Sequence, residues 1–535
     1  MRQEAFTIIP ILGRKVSVPA NDPSLFRVLD SGMALTHDVG GVNFSLQRKR
    51  NACTKSNGYV QWSNSATAQA TRCQGLAEIY DGTYRDHCYW DNGKFYVYDS
   101  ANDPVDRTAS GITHKQSNDL YSIIKVGNYI VFSDYGNLTP YKWKHDDANA
   151  SKLIASGTEY TFRYLENFQR RVIGAYSDQT NGDIDIRWST DWPTTAITAL
   201  NFPAANQLYV PNDDSIVGIR KMGRDRCYVY CENSIQQLVY FPDYTAPFRC
   251  YTVLSGHGGV NQASIVSIEN VHFFFSPVYG FSIFNGQQVI PIGQDIETDS
   301  QNINSSFYAA ICGTYIPFTR QIVWAVPMGG SPTPTHLFFY HIDTKQWTIE
   351  DKAMRYVDQW KMSDSYTMTD LINDATAAGY SLPTMTDILT WKGSMVTMAE
   401  IVPNYRRLVY GGTDGQLYYQ ETESLNGAAL DSYRIEPIMD FGNPYRKDIL
   451  QEIWLDLAAG GNFSIDIYYR GGNTVEEVEG NSWTLLGSIS CNHPVKPVLY
   501  TSQTNRFHQI KWGTDGTNEK YTVSKITFKY MEQSE

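Results

Sequence analysis

The chain has 535 residues, 42% hydrophobic and 13% aromatic, which excludes a disordered protein and exceeds what one ordinary core fills. Its 37 Tyr against 19% charged residues suit strands and surfaces that meet other proteins. A net charge of −12 and a pI near 5.4 exclude a surface that grips phosphates generally, though not contact with DNA along a path where gripping would be harmful.

The N-terminal stretch MRQEAFTIIPILGRK has a short apolar run broken by Pro10 and preceded by Glu4, a poor match to a signal peptide. No segment of the chain approaches the apolar length that spans a bilayer. QRKRN, residues 47–51, is the one dense basic run and reads as a solvated turn or a nucleic-acid contact.

From residue 87 one unit recurs. HCYWDNGKFYVYDS (87–100), YIVFSDYGNLTPYKWK (129–144), RVIGAYSDQTNGDIDIRWS (171–189) and RCYVYCENSIQQLVYF (226–241) each read as an aromatic strand, a Gly/Asn/Asp turn and a second strand. VHFFFSPVYGFSIFNGQQVIPIG (271–293), QIVWAVPMGGSPTPTHLFFYHIDTKQW (321–347) and RLVYGGTDGQLYYQ (407–420) do the same. With Cys88, Ile130, Val172, Cys227, His272, Ile322 and Leu408 as equivalent positions, the steps are 42, 42, 55, 45, 50 and 86 residues. Apart from the last, the steps of 42–55 residues lie at or near the roughly 40–50 residues of a four-stranded propeller blade. The consecutive Phe273, Phe274 and Phe275 carry the same message, because alternate strand residues point to opposite faces and both faces here are apolar. A blade stacked between two neighbours buries both. The expected fold is therefore an all-β propeller of about six to eight blades, with a large β-sandwich assembly as the structural alternative.

The step of 86 residues predicts an insertion at 352–387, the one place with helix signals, where Thr369 or Asp370 caps a run through Leu371, Ile372 and Ala375. Its Met354, Arg355, Tyr356, Trp360, Lys361, Met362 and Tyr366 lack strand alternation and read as an interface or channel loop. After ETESLNGAALDS (421–432) the pattern changes: IWLDLA and FSIDIYYR alternate cleanly, as in an antiparallel β-sandwich with one wet face per sheet. The expected division is 1–75, closing the propeller; 76–425, its body; and 426–535, the sandwich.

No metalloprotease, phosphate-loop or nucleophile-elbow motif is present, and the eight Cys are scattered without a Cys-x-x-Cys pair. No catalytic, cofactor-binding or metal-binding residue is assigned. Asp183 and Asp185 alternate on a strand, the spacing of a glycosidase pair or of a solvated strand face, but the following STDWPTT lacks the Gly and Trp of a sialidase Asp-box. GHGGV (256–260) is not followed by a helix and reads as a blade-to-blade loop.

Three stretches resemble the tail nozzle, or packaged-DNA-stabilisation (tail hub), proteins of short-tailed bacteriophages. ENFQRRVIGAYS…IRWSTDWPTTAITALNF…YVPNDDSIVGIRKMGRDRCYVYCENSIQQLVY resembles the middle of that family, and HFFFSPVYGFSIFNGQQVIPIGQDIE its next blade. GGVNFSLQRKRNACTKSNG is similar to the opening, with Arg50-Asn51-Ala52 in place of the usual Arg-Pro-Gly. The likeness is one of pattern and order over 40–350. It implies a structural, non-enzymatic virion protein of the phage tail, assembled in the host cytoplasm as a homohexamer. The ring would sit below the head-to-tail adaptor, meet tail fibre or needle proteins, and pass genomic double-stranded DNA without reading its sequence. An acidic wall would repel a phosphate polymer within about 8 Å and let it slide. The alternative is a propeller that binds or hydrolyses glycans, and a third is a monomeric peptide-binding scaffold; fold alone does not choose among them.

Overall fold

The computed structural model describes residues 3–47, 52–68, 73–154, 157–192, 197–242, 246–361, 406–420, 424–459, 461–492 and 497–533. Among these, seven four-stranded antiparallel sheets follow one another as propeller blades. Their first strands are Cys73–Tyr80, Ser122–Val126, Phe162–Phe168, Ile216–Met222, Val266–Ile268, Cys312–Ile316 and Tyr356–Trp360, each beside the next around a closed ring. The seven hairpins read from the sequence supply the second strand of every blade, from Arg85–Asp91 to Arg407–Gly411.

Burial on both faces explains the aromatic strands. In blade five, Val271–Ser276 holds Phe273, Phe274 and Phe275 at 3%, 0% and 2% exposure. Phe273 and Phe275 pack with Trp324, Phe338 and Trp347 of blade six. Phe274 turns the other way onto blade four, its ring 5.1 Å from that of Tyr230. Each such side chain contributes roughly 1.5–3 kcal/mol by leaving water.

The ring closes through a strand from outside the body: Val60–Gln61 pairs with Leu417–Tyr419 as the fourth strand of blade seven. The earlier strands of the N-terminal segment lie in the sandwich, so only part of 1–75 closes the propeller. Gln3–Ile9 runs antiparallel along Thr522–Glu532, from Gln3 opposite Met531 to Ile8 opposite Ile526. One sandwich sheet thus has the order Phe26–Val28, Ala34–Thr36, Gln3–Ile9, Thr522–Glu532, Asp448–Ala459, Val498–Asn505, with the hairpin Phe44–Gln47/Ala52–Lys55 joined to Thr522–Glu532. The other is Ser432–Ile435, Phe507–Thr514, Ser464–Gly472, Thr484–Ser490. Ala34–Thr36 pairs with Gln3–Ile9 in parallel, so the sandwich is not wholly antiparallel. The alternation read from the sequence is real: Ile453, Leu455, Ile465, Ile467 and Tyr469 all face the shared core.

The sandwich covers the outer edge of blade six. The amides of Arg14 and Asn43 donate to the carbonyls of Trp347 (2.8 Å) and Ile349 (3.0 Å) in the strand Gln346–Asp351. Gly13 allows this approach, since a Cβ there would stand 2.7 Å from the Trp347 oxygen. The Arg14 guanidinium forks onto Asp299 at 2.6 and 2.9 Å and also reaches the Gly41 carbonyl at 2.7 Å. Beside it, fully buried Arg434 and Glu436 pair at 2.9 Å, and Glu436 also accepts from Thr36 and Trp512. A buried pair needs such extra bonds to offset its desolvation.

Residues 356–360 correct the expected insertion. They form the first strand of blade seven, with Tyr356 opposite Gly411 and Trp360 opposite Arg407. Both faces of this strand are covered, so the alternation that marks a half-buried strand is missing from its sequence. The helix expected at 369–375 lies outside the described residues. Among the described residues, short α-helices occur at Glu297–Gln301 and Val475–Gly480.

Candidate functional site

The first strands of the seven blades surround a central cavity of about 750 Å³. In blade six, Gly313 leaves space for the Trp324 ring, which a Cβ there would meet at 2.5 Å. One end is bridged. Gln262, on the turn Gln262–Ser264 before blade five, is 4% exposed. Its amide nitrogen donates to the Leu165 carbonyl of blade three (2.8 Å) and to the Ser122 hydroxyl of blade two (3.2 Å). Its oxygen accepts from the Ile219 amide of blade four at 3.4 Å. Gly218 faces it closely, leaving 3.0 Å between a Cβ there and the Gln262 Cα. On the same side Arg355 Nη1 reaches Asn118 Oδ1 at 3.2 Å. Hydrogen bonds of Gln262 thus cross one end of the cavity and tie blade five to blades two, three and four.

Charged groups gather where the first strands leave the cavity, and most are tied. Glu78, 4% exposed at its side chain, takes the Arg85 guanidinium on Oε1 and Arg406 on Oε2 at 3.2 Å. Glu166 accepts from the amides of Asn167 (2.9 Å) and Lys221 (3.3 Å), with Arg220 at 3.9 Å. Asp358 lines the cavity from blade seven and accepts from Trp360 Nε1 at 3.0 Å. Burial pushes its carboxyl up to about 6.

The residues expected to form one loop are separated by this geometry. Met354 is buried among blades six and seven. Arg355 is half-buried at the bridged end, and Tyr356 lines the cavity. Trp360 is fully buried, stacked on His87 at 4.8 Å and edge-on to Trp62 at 6.1 Å. The Lys361 amide donates to Glu78 Oε2 at 2.7 Å. Met362 and Tyr366 lie outside the described residues, as does the basic run from residue 48 to 51.

Asp185 is buried, accepting from Ser177 at 2.5 Å and Arg187 at 2.7 Å, while Asp183 sits half-buried in the preceding turn. The two do not share an open face. GHGGV is a tight connection: Gly258 abuts the Glu232 carbonyl with no space for a side chain, and the Gly259 amide bonds Cys231 at 3.1 Å. Sequence reading passed over Gln262, whose partners belong to three other blades and leave no local signal. Among the described residues no group of three or more His, Cys, Asp or Glu could hold a metal ion, and no helix is long and apolar enough to cross a membrane.

These features define a seven-bladed β-propeller with a bridged central pocket, carrying a sandwich built from both ends of the chain. No protein-family model matches the chain, and no curated protein matches it. Similar solved structures include a streptogramin B lyase, 10% identical with a TM-score of 0.38 over 68% of this chain and 96% of that one. The extracellular domain of a hybrid two component system from B. thetaiotaomicron is 10% identical, with a TM-score of 0.39 over 83% of this chain and 47% of that one. U3-55K is 8% identical, with a TM-score of 0.37 over 68% of this chain and 98% of that one.

Proposed function

We propose that this chain is a structural virion protein without enzymatic activity, a subunit of the tail nozzle of a short-tailed bacteriophage. Six copies form a ring below the head-to-tail adaptor that retains packaged DNA and conducts it during ejection. The observation that carries the reading is where the family-like stretches fall. The stretch from ENFQRRVIGAYS to SIQQLVY covers strands of blade three and the first three strands of blade four, and the one opening HFFFS covers three strands of blade five.

Two further features support it. The cavity's carboxylates Glu78 and Glu166 are held by guanidiniums and backbone amides, an arrangement suited to rigidity more than to acid–base work. The sandwich fastens to blade six through backbone bonds and the Arg14–Asp299 fork, which gives a subunit with few internal joints. Because Gln262 bridges the propeller's own pocket, the DNA conduit lies between copies.

Native mass spectrometry of the purified full-length protein over a range of concentrations tests the reading. Hexamers that build up with concentration uphold it. A strict monomer with affinity for soluble glycans would favour the alternative, a glycan-binding or glycan-hydrolysing propeller that uses the central cavity.

A further inference from the structure

Three cations converge where the first strands of blades seven, one and two leave the cavity. Arg85 and Arg406 both bind Glu78, Arg406 at 3.2 Å. Lys125, at the end of the neighbouring inner strand, donates from Nζ to the Tyr80 carbonyl at 2.6 Å. The carboxylates nearby are engaged: Glu78 also accepts the Lys361 amide at 2.7 Å, and Asp81 accepts the amides of Thr83 and Tyr84, both at 2.7 Å. Arg406 gives one further bond, to the Gln359 carbonyl at 2.7 Å, and its side chain is 47% exposed. Among the described residues, two planar guanidiniums and an ammonium carry far more N–H donors than these acceptors use. Burial, with Arg406 beside it, holds Arg85 below its ordinary value; burial, with Arg85 and Arg406 and against the pull of Asp81, does the same to Lys125. The cations repel one another, and an added anion would relieve them.

We propose that Arg85, Lys125 and Arg406 form a binding site for a phosphate-type oxyanion at the mouth of the cavity, with Glu78 holding the two guanidiniums in position. Planar guanidinium forks match the oxygens of a phosphate, and an ammonium adds a compact charge. The phosphate can belong to a free small molecule or to a nucleic-acid strand. The site stands independently of the nozzle reading, because it uses only one chain.

Calorimetric titration of the full-length protein with inorganic pyrophosphate at low salt tests it. Saturable binding at one site per chain is expected, weakening as salt rises. Lys125→Met and Arg406→Met should each lower affinity about tenfold, the loss of one charge-assisted contact. Arg320→Met removes an exposed cation from the equivalent turn of blade six, where it pairs with Asp343 at 2.9 Å, and should leave affinity unchanged. Thermal unfolding identifies any variant that fails to fold, and the other then decides. A short DNA duplex that binds, is displaced by pyrophosphate and is lost in the same variants assigns the phosphate to nucleic acid. Pyrophosphate binding without duplex binding assigns it to a small molecule. No saturable binding at low salt, equal loss in Arg320→Met, or undiminished affinity in both site variants overturns the proposal.

Discussion

The side-chain amide of Gln262, leading into blade five, donates to the main-chain carbonyl of Leu165 in blade three at 2.8 Å. The bond spans the propeller's central cavity and joins blades that are not neighbours. It is buried, so removing it leaves the Ile219 amide short of a partner. Gln262→Ala should destabilise the protein by about 1–3 kcal/mol in urea unfolding. A change within about 0.5 kcal/mol, the usual range for surface positions, would mean the bridge does not hold the blades.

The stacked blades make a paired prediction for the phenylalanines of blade five. Phe273 and Phe274 point to opposite faces, one toward blade six and the other toward blade four. Each change to Ala should cost about 3–5 kcal/mol. If only one of the two is costly, one face of the blade is wet and the stacking described above is wrong.

Trp360 gives a third prediction. As part of an exposed contact loop it would tolerate replacement; as a buried strand residue packed on His87 and Trp62 it would not. Trp360→Ala should lower stability by about 3–5 kcal/mol. An unchanged melting curve would restore the loop reading for residues 356–360.

Stability should fall on mild acidification. Burial holds His87, His272 and His508 each down at about 4, against 6.5 for a free imidazole. Below pH 6.5 the unfolded chain takes up protons that the folded chain refuses, so stability is lost as pH falls from 6.5 toward 4. The full loss is about 3 kcal/mol per histidine. Asp358, raised to about 6, acts in the opposite sense and offsets a share of it. Urea midpoints measured at pH 7, 5.5 and 4.5 should decline in that order; a rise through this window would contradict the burial of the three imidazoles.

The propeller was legible because each blade writes its two central strands locally. Cys88, Ile130, Val172, Cys227, His272, Ile322 and Leu408 all stand in second strands, as their spacing implied. Tyr356–Trp360 was not legible: a strand buried on both faces loses its alternation, and its partner Arg407–Gly411 comes more than forty residues later. Gln3–Ile9 reads as part of the propeller because pairing with Thr522–Glu532, at the far end of the chain, leaves no mark in its own sequence. The cavity was hidden for the same reason. Gln262, Glu78 and Arg406 acquire meaning only when blades distant in sequence meet.

Reconstruction of a short-tailed phage particle that carries this chain is the most direct test of the nozzle proposal. Six seven-bladed propellers are expected around the tail axis below the adaptor, each with its sandwich against blade six and with the DNA path between copies. Propeller density absent from the tail, or present as single copies away from the axis, would contradict it.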